Sequence, residues 1–449
     1  MFKHSSHDQS WLLPPSLEES VSSDHLARYI RISVESLDMS KVESGYSSLG
    51  QRAYHPKMLL SLLLYGYAIG VRSSRKLAQA CEENIAFMWL SGRQTPDFRT
   101  ISQFRKDQLG DMKKYFQEVL MICMDLDMAR CGKISLDGTK FRANANRHKL
   151  TYRSIVQRRK ERLEKLVDDI FDEAEQLDRE EDALYGDGDG IHTGTPVDPT
   201  ELKKKVEALQ KQRRRLEKKK EEVHDDLERA DEELRIIGDG RNSSGKTDPD
   251  ATHLRMKEDY PAPGYNVQFA TEHQVILAYD IFSNGTDHYL LPPMREEIYR
   301  MCGRYPEEIL ADAGYGNQKT YQYLEEQGQK YTIPYQNWRK DRGKRKKGIY
   351  TTTSDPRSWW EQKKWEVWSH LQKKENRNKM KRRGYDVEPT IGDIKENMKL
   401  RQFLLRGKAG VHIEVGLASV AHNLKKMKKC LLWWKKYAAL KLYFYLQTA

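Results

Sequence analysis

The chain is poor in cysteine and has none of the patterns that would pair cysteines. No Cys-x-x-Cys pair occurs, and no cysteine has a histidine at the spacing that zinc sites use. This pattern excludes a disulfide-rich secreted scaffold and indicates reduced thiols in a reducing compartment. The five cysteines are Cys81, Cys123, Cys131, Cys302 and Cys430.

Long apolar runs are also missing. The longest runs from Met58 to Gly70, which is too short to cross a bilayer and predicts a buried helix instead. The first residues are polar and mixed, without the charged and then apolar pattern of a secretory signal. We therefore expect a cytoplasmic protein.

Positive charge exceeds negative charge. Lys and Arg number 78 against 66 Asp and Glu, which gives a formal net charge of +12 and a pI near 9.1. Such an excess favours a polyanionic partner, nucleic acid first and an anionic membrane surface second. An apolar content of 38%, with nine Trp and 24 Tyr, is enough for the cores of two or three domains.

Helical periodicity extends through residues 20–130 and predicts an all-α N-terminal domain over residues 1–130. Two basic amphipathic segments, one from Arg75 and one from Pro96 to Arg105, are expected to flank a turn. They fit a helix-turn-helix reader of DNA and plain helix packing equally well. The predicted helices are His25 to Val34, His55 to Ile69, Ser74 to Met88 and Thr100 to Met128.

Strand character begins at Lys133, and residues 131–449 are expected to form a second domain of mixed α+β class. Short β-rich segments follow, two of which are joined by Glu272-His-Gln as a hairpin, and helical segments then alternate with strands. This order fits the mixed sheet of a ribonuclease-H-like domain. A helix is predicted from Asp287 to Cys302.

Two segments interrupt that domain. Residues 152–237 are highly charged, with a heptad seam from Leu202 to Ile237, and predict an antiparallel coiled-coil hairpin that contacts protein, DNA or both. Its near balance of charge favours protein contacts. Residues 335–380 hold seven basic residues among the nine at 339–347 and then four tryptophans. We expect the basic run to contact DNA and the tryptophans mainly to pack.

Three acidic residues follow short apolar or amphipathic elements and are the strongest candidates for chemistry. Asp137 and Asp312 are predicted at the ends of buried strands, and Glu388 in the first turn or so of a helix. Carboxylates at such positions often only form turns or cap helices. Together, however, the three suggest an oxygen-rich site for Mg²⁺ or Mn²⁺. Two nearby acids compete: Asp287 fits a helix cap better, and Asp280 fits a supporting or solvent-facing role.

The segments around these acids resemble a known family. LDGTKFRANAN surrounds Asp137, GYNVQFA lies in the first strand of the predicted hairpin, PEEILADAGYGN surrounds Asp312, and VEPTIGDIKEN begins just before Glu388. With PDFRTISQFR in the N-terminal part, the chain resembles a bacterial insertion-sequence transposase of the DDE type. The resemblance is greatest to the group related to insertion sequence 1182, within the insertion-sequence-4 and -5 assembly.

The resemblance implies a nucleoid-associated DNA transposase that cuts and joins element ends by metal-dependent phosphodiester hydrolysis and transesterification. Asp137, Asp312 and Glu388 would hold two Mg²⁺ or Mn²⁺ ions, with Asp137 bridging both. The partners would be double-stranded DNA, as transposon ends and target, and further copies of the chain in a synaptic complex, with no membrane. The residues expected to contact DNA are Arg383, Lys395, Arg401, Arg406 and Lys140.

Details of this resemblance leave other functions open. Lys395 follows Glu388 by seven residues, as in the family, and would share its helical face. Arg383 can fill the family's arginine position, but the tyrosine position holds Met380, and Ile391 replaces a phenylalanine. The alternatives are an inactive DNA-binding or scaffold protein derived from a transposase, and a ribonuclease-H-like nuclease without strand transfer.

Overall fold

Helices make up most of the described residues up to Asp125. The computed structural model describes residues 16–46, 52–185, 199–239, 241–256, 260–338, 340 and 359–448. The N-terminal helices are α1 (Leu17–Ser20), α2 (Leu26–Ser36), α3 (Ser40–Glu43), α4 (Pro56–Ala68), α5 (Ser74–Glu83), α6 (Ile85–Ser91), α7 (Phe98–Gln103) and α8 (Met112–Asp125). As the sequence predicts, α4 is buried along most of its length.

Two long predicted helices are wrong because local backbone signals interrupt them. Asn84 is extended (φ −112°, ψ 121°), and its side chain accepts hydrogen bonds from the N–H groups of Ala86 and Phe87, so it begins α6 as a cap. The second, predicted from Thr100 to Met128, is broken at residues 109–111, between a π-helical turn (Phe104–Gln108) and α8. Asp97 caps α7 as Asn84 caps α6. Because α6 lies between α5 and α7, the two basic segments are not joined by the single turn of a helix-turn-helix.

A mixed sheet follows the N-terminal helices. The described residues contain eight strands: β1 (Lys133–Arg142), β2 (Leu150–Tyr152), β3 (Ser243–Gly245), β4 (Thr252–Arg255), β5 (Pro261–Glu272), β6 (Val275–Phe282), β7 (Glu308–Leu310) and β8 (Lys330–Thr332). Six of them form one sheet in the order β4-β5-β1-β7-β8, with β6 also paired to β5. β5 is antiparallel to β1 and β6, whereas β7 is parallel to β1 and β8. The mixed α+β class is thereby confirmed.

Seven further helices follow β1 in the described residues. The later helices are α9 (Arg153–Tyr185), α10 (Pro199–Ile237), α11 (Leu291–Cys302), α12 (Gln318–Glu326), α13 (Trp359–Gln372), α14 (Lys374–Gly392) and α15 (Gly407–Thr448). Helix α15 contacts β6, α4 and α8, so the N-terminal helices and the sheet share one apolar core. Within the described ranges, none of the helices combines the length and the apolar character that a membrane span requires.

The chain divides into two compact units, residues 1–144 with 254–449 and residues 145–253. The second unit contains α9 and α10 packed against each other, with a small cluster of Val156, Ala230 and Ile237. The residues between the two helices, 186–198, where the sequence predicts the tip of a hairpin, lie outside the described part.

Complementary charge blocks join α9 and α10. The start of α9 is rich in Lys and Arg and faces the acidic end of α10, as in the ion pairs Arg159–Glu233 (2.7 Å) and Lys160–Asp231 (2.6 Å). Further along, Lys219 of α10 lies 3.7 Å from Glu173 of α9. These pairs largely neutralise the two helices against each other, which is unlike a DNA-binding arm of one charge sign.

Candidate active site

Asp137 lies inside a strand and not at its end. β1 does not stop before Asp137, as predicted, but continues to Arg142 because its second half pairs with β5. Its parallel pairing with β7 ends where Ser135 meets Leu310. Extending that register by two residues places Asp137 beside Asp312, and neighbouring strands lie about 4.8 Å apart. Asp312, two residues past the end of β7, therefore lies next to Asp137, and the two carboxylates interact electrostatically.

Asp137 is held by one backbone group and one cation. Its Oδ1 accepts a hydrogen bond from the N–H of Gly138 (3.0 Å), and its Oδ2 lies 3.4 Å from Nη1 of Arg383. Burial raises the pKa of Asp137 to about 6, in opposition to Arg383, which lowers it, and with further increases from Asp312 and Asp287. The carboxyl group is therefore poised among like charges, a condition common at functional sites.

Asp312 begins a tight turn after β7. Its Oδ1 accepts a hydrogen bond from the N–H of Gly314 (2.8 Å). A Cβ at Gly314 would lie 2.9 Å from that oxygen and 3.7 Å from Oδ2 of Asp287, so glycine is needed for the close approach. Asp137 and Asp312 thus each have one oxygen fixed by the backbone of a following glycine, which orients the second oxygen.

Asp287 belongs to this acidic group, and its prediction as a helix cap is wrong. Helix α11 begins at Leu291, and its cap residue is Leu290. The Oδ1 of Asp287 instead accepts hydrogen bonds from the side-chain amides of Asn266 and Gln268, both at 2.7 Å. These amides are buried on β5, at 2% and 0% exposure. Two amide side chains that alternate with Tyr265, Val267 and Phe269 in the middle of β5 are the signal that could have identified this site.

Asp280 contacts groups other than the aspartate pair. Its Oδ1 lies 3.4 Å from Nζ of Lys113 on α8 and 3.5 Å from Nε2 of His412 on α15. Of the two competing acids, the structure therefore brings Asp287 and not Asp280 to the pair of aspartates.

Glu388 lies near the end of α14 and not in the first turn of a helix. The helix continues through Pro389, although proline cannot donate to the carbonyl of Tyr385 four residues earlier. The side-chain amide of Gln274 donates to that carbonyl instead (2.9 Å). Asp386, on the buried side of α14, accepts a hydrogen bond from Ser135 of β1 (3.3 Å), so this part of α14 packs on the strand that carries the first aspartate. Glu388 itself is exposed.

A groove of about 1020 Å³ contains Asp312 and Glu388. Basic and aromatic residues line it together with the acids, and Tyr385 is 72% exposed. The basic and aromatic lining residues include Arg377, Lys381, Arg383, Lys340, Trp338 and Tyr385.

The tryptophans that follow were predicted mainly to pack, but they are not core residues. Trp365 is 54% exposed and stacks on Trp368 at 5.1 Å, and Trp359 and Trp360 are only half-buried. They lie on α13, which has only a few buried positions. The basic run at 339–347 lies outside the described residues except for Lys340.

The other predicted DNA contacts lie on or near β1 and the segment before α15. Nζ of Lys395 donates to the carbonyl of Lys140 (2.9 Å) and lies 4.8 Å from the ring centroid of Phe141. Lys395 lies in a π-helical turn, residues 393–397, so a spacing of seven from Glu388 is not two regular α-turns. Arg401 pairs with Glu396, and Nε of Arg406 donates to the carbonyl of Asn144 (3.0 Å).

Carboxylate oxygens suit a hard divalent cation, but the three predicted ligands are not assembled as a cage. Among the described residues, no three His, Cys, Asp or Glu side chains lie close enough together to hold a metal ion. Arg383 occupies the position of a counter-ion for Asp137. Its buried Nε and Nη1 have no hydrogen-bond partner in the described part of the chain. The acids and the weakly held guanidinium of Arg383 fit a site in which a divalent metal ion can replace that guanidinium as the positive charge next to Asp137.

Comparisons with known proteins match two parts of the chain to families. Residues 15–107 match the family described as Transposase domain (DUF772), and residues 241–424 match the Transposase DDE domain. The second match includes Asp312 and Glu388, whereas Asp137 lies between the two matched ranges. Neither a curated protein nor a solved structure is significantly similar to the chain. DDE transposases generally use divalent metal ions. The two matches indicate an insertion-sequence transposase, a DDE-type enzyme that acts in DNA transposition.

Proposed function

We propose that Asp137, Asp312 and Glu388 are the catalytic carboxylates with which this transposase cuts and joins DNA. The single observation that carries the proposal is the juxtaposition of Asp137 and Asp312 by the β1–β7 register, with Glu388 in the same groove as Asp312. The sheet, with an antiparallel hairpin on one side of β1 and two parallel strands on the other, supports a ribonuclease-H-like fold.

The oxygen donors of these residues fit two Mg²⁺ or Mn²⁺ ions. When bound, such ions lower the pKa of a nucleophilic water or hydroxyl and neutralise charge on the scissile phosphate. Asp137 and Asp312 present their second oxygens, because the first are fixed by the N–H groups of Gly138 and Gly314. Glu388 would supply the third carboxylate from α14. Arg383, next to Asp137, then becomes available for a DNA phosphate.

The reaction consists of two substitutions at phosphorus. In the first, water attacks the phosphodiester, the P–O3′ bond breaks, and the element end is left with a free 3′-hydroxyl. In the second, that hydroxyl attacks a target phosphodiester and displaces its 3′-oxygen. No covalent bond to the protein is required at either step, so none of the tyrosines or serines has to act as a nucleophile.

The lining of the groove supports a DNA substrate. Lysines and arginines neutralise phosphates, while exposed rings such as Tyr385 can stack on bases. We assign Lys140, Lys395, Arg401 and Arg406 to the flanks of this surface.

We further propose that the chain is of the group related to insertion sequence 1182 and acts as a homo-oligomer on paired transposon ends. Its segments are residues 1–130 and 131–449, the second interrupted at 152–237 and 335–380.

The proposal is tested on DNA that carries the inverted repeats flanking the encoding gene. With Mg²⁺, the wild-type protein should nick these ends and join them to a second DNA, and Asp312→Asn should do neither. Equal products from both proteins would refute the assignment. Nicking that depends on Asp312 but yields no joined DNA would identify a nuclease without strand transfer. Binding without any nicking by the wild type would identify an inactive DNA-binding protein.

Arg383→Gln should weaken DNA binding and lower its salt dependence. The loss of one phosphate contact should reduce the slope of log K against log salt by about 0.9. Mn²⁺ affinity should rise, because the guanidinium 3.4 Å from Asp137 no longer competes. Fluorescence anisotropy across a salt series measures the first effect. Arg382→Gln is the matched control, since Arg382 is exposed and contacts His273 instead. An unchanged slope in Arg383→Gln would remove Arg383 from the DNA contacts.

A further inference from the structure

A buried polar network lies directly beneath the aspartate pair and is not used by the reaction itself. It begins at Asp287, whose Oδ1 receives the amide N–H groups of Asn266 and Gln268. The Nε2 of Gln268 also donates to Oδ1 of Asn266 (3.1 Å). The hydroxyl of Tyr315 donates to Oε1 of Gln268. The network therefore runs from the loop before α11, across β5, to the turn after β7.

We propose that Asp287 is a positioning residue for the metal-binding aspartates, acting through Gln268 and Tyr315. This inference rests on the proposed function. Asp287 fixes the amide of Gln268 with its nitrogen toward the carboxylate and its oxygen toward Tyr315. Tyr315 belongs to the turn that Asp312 begins, and its N–H donates to the carbonyl of Asp312 (3.3 Å). The orientation of Asp312 is thereby linked to Asp287.

The direction of each hydrogen bond supports this order of action. Both bonds to Asp287 end on the same oxygen, so only an acceptor at Oδ1 is required. Tyr315 is fully buried, and burial raises its pKa well above the usual value, so its hydroxyl stays protonated and donates. An amide has one donor and one acceptor end. If Gln268 were flipped, its Oε1 would face Oδ1 of Asp287, and two acceptors would meet with no proton between them.

The tight packing around the network shows why a small change would reach the aspartates. A Cβ at Gly138, the residue after Asp137, would overlap Nε2 of Gln268 and lie 2.7 Å from Oδ1 of Asp287. A rotation of Gln268 must therefore disturb β1 beside Asp137 as well as the turn of Asp312. Groups that orient metal-binding residues in this way typically contribute about 10–100-fold to metal affinity.

The test compares Mn²⁺ affinity, measured by electron paramagnetic resonance of free Mn²⁺, in the full-length protein and four variants. Asp287→Asn keeps an oxygen acceptor for both amides, whereas Asp287→Ala removes it and Tyr315→Phe removes the hydroxyl. We expect Asp287→Ala and Tyr315→Phe to weaken Mn²⁺ binding by about 10-fold or more. Asp287→Asn should stay within about 3-fold of the wild type, well below the loss expected when an orienting group is removed. Asp137→Asn should abolish tight binding.

Each contrary result has a distinct meaning. If Asp287→Asn binds Mn²⁺ as weakly as Asp287→Ala does, the charge of Asp287 acts directly on the metal ion and the positioning role is overturned. Wild-type affinity in Tyr315→Phe would overturn the link through Gln268. If Asp287→Ala does not fold, as judged by circular dichroism, Tyr315→Phe and Asp287→Asn still decide the matter. Should the wild type bind Mn²⁺ no better than Asp137→Asn, the metal site of the proposed function fails, and this inference with it.

Discussion

Asp137→Asn should lower DNA cleavage and joining at least about 1000-fold, since a metal-held nucleophile and phosphate are worth several kcal/mol and each 1.4 kcal/mol is about a factor of ten. The substitution is nearly isosteric. The asparagine that replaces Asp137 can still accept the N–H of Gly138, which lies 3.0 Å from Oδ1 in the wild type. What it lacks is the negative charge that the proposed ions require.

The same substitution should leave the metal-free protein about as stable as the wild type. Asp137 is mostly buried beside Asp312 and Asp287, and burial among like charges raises its pKa to about 6. Loss of one carboxylate relieves that repulsion and offsets the lost attraction to Arg383. We therefore expect the free energy of unfolding in denaturant to change by no more than about 1 kcal/mol, within the usual range for mild substitutions.

The matched control is Asp280→Asn. Asp280 lies on the neighbouring hairpin but faces Lys113 and His412. The Asp280→Asn variant should therefore keep full DNA cleavage and joining activity. Retained cleavage by Asp137→Asn would remove Asp137 from the site. A loss of cleavage together with unfolding would instead show that Asp137 is structural.

The positions of these acids show how far the sequence could lead. The short apolar segments before Asp137 and Asp312 were enough to predict adjacent strands, because parallel neighbours present corresponding residues at one edge of a sheet. They could not reveal that β1 continues to Arg142. That extension depends on pairing with β5, more than a hundred residues later in the chain.

Glu388 and Asp287 were placed less accurately because long-range hydrogen bonds decide both. Helical spacing of apolar and charged residues begins only at Val387, so sequence alone places Glu388 near a helix start. Gln274 supplies the missing donor for Tyr385, and α14 runs through Pro389. Asp287 after Asn-Gly-Thr resembles a helix cap, yet the buried amides of β5 hold it in the site. In both cases the partner lies far away in the chain, where periodicity carries no information.

A second large effect is expected at Glu414, a fully buried carboxylate on α15. Its Oε1 accepts the N–H groups of Leu404 and Leu405, both at 2.6 Å. Its Oε2 accepts from the hydroxyl of Tyr67 (3.1 Å) and lies 3.3 Å from Nη1 of Arg72. The side chain of Glu414 thus connects α15 to α4 and to the segment before α15, which includes the predicted DNA contacts Arg401 and Arg406.

Glu414→Ala should lower the free energy of unfolding by about 3 kcal/mol, because removing Glu414 leaves the partly buried charge of Arg72 and several buried donors without their acceptor. Arg72 also donates to the carbonyls of Gln402 (3.1 Å) and Lys399 (2.8 Å), so this segment should loosen first. Urea unfolding measures the stability, and hydrogen exchange at residues 399–406 measures the loosening. Unchanged exchange there would contradict the proposed tie.

Glu414→Gln separates the charge of Glu414 from its shape and has a defined pH dependence. The glutamine can still accept the two backbone N–H groups, so the stability of this variant should lie between those of the wild type and Glu414→Ala. Burial raises the pKa of Glu414 in the folded protein. Between the unfolded pKa and this raised value the folded state binds more protons, so the stability from Glu414 falls as pH rises. The amide of the variant does not titrate. The stability difference between wild type and Glu414→Gln should therefore narrow as the pH rises from mildly acidic to neutral, and a difference that widens would show that Arg72 and the backbone donors outweigh burial.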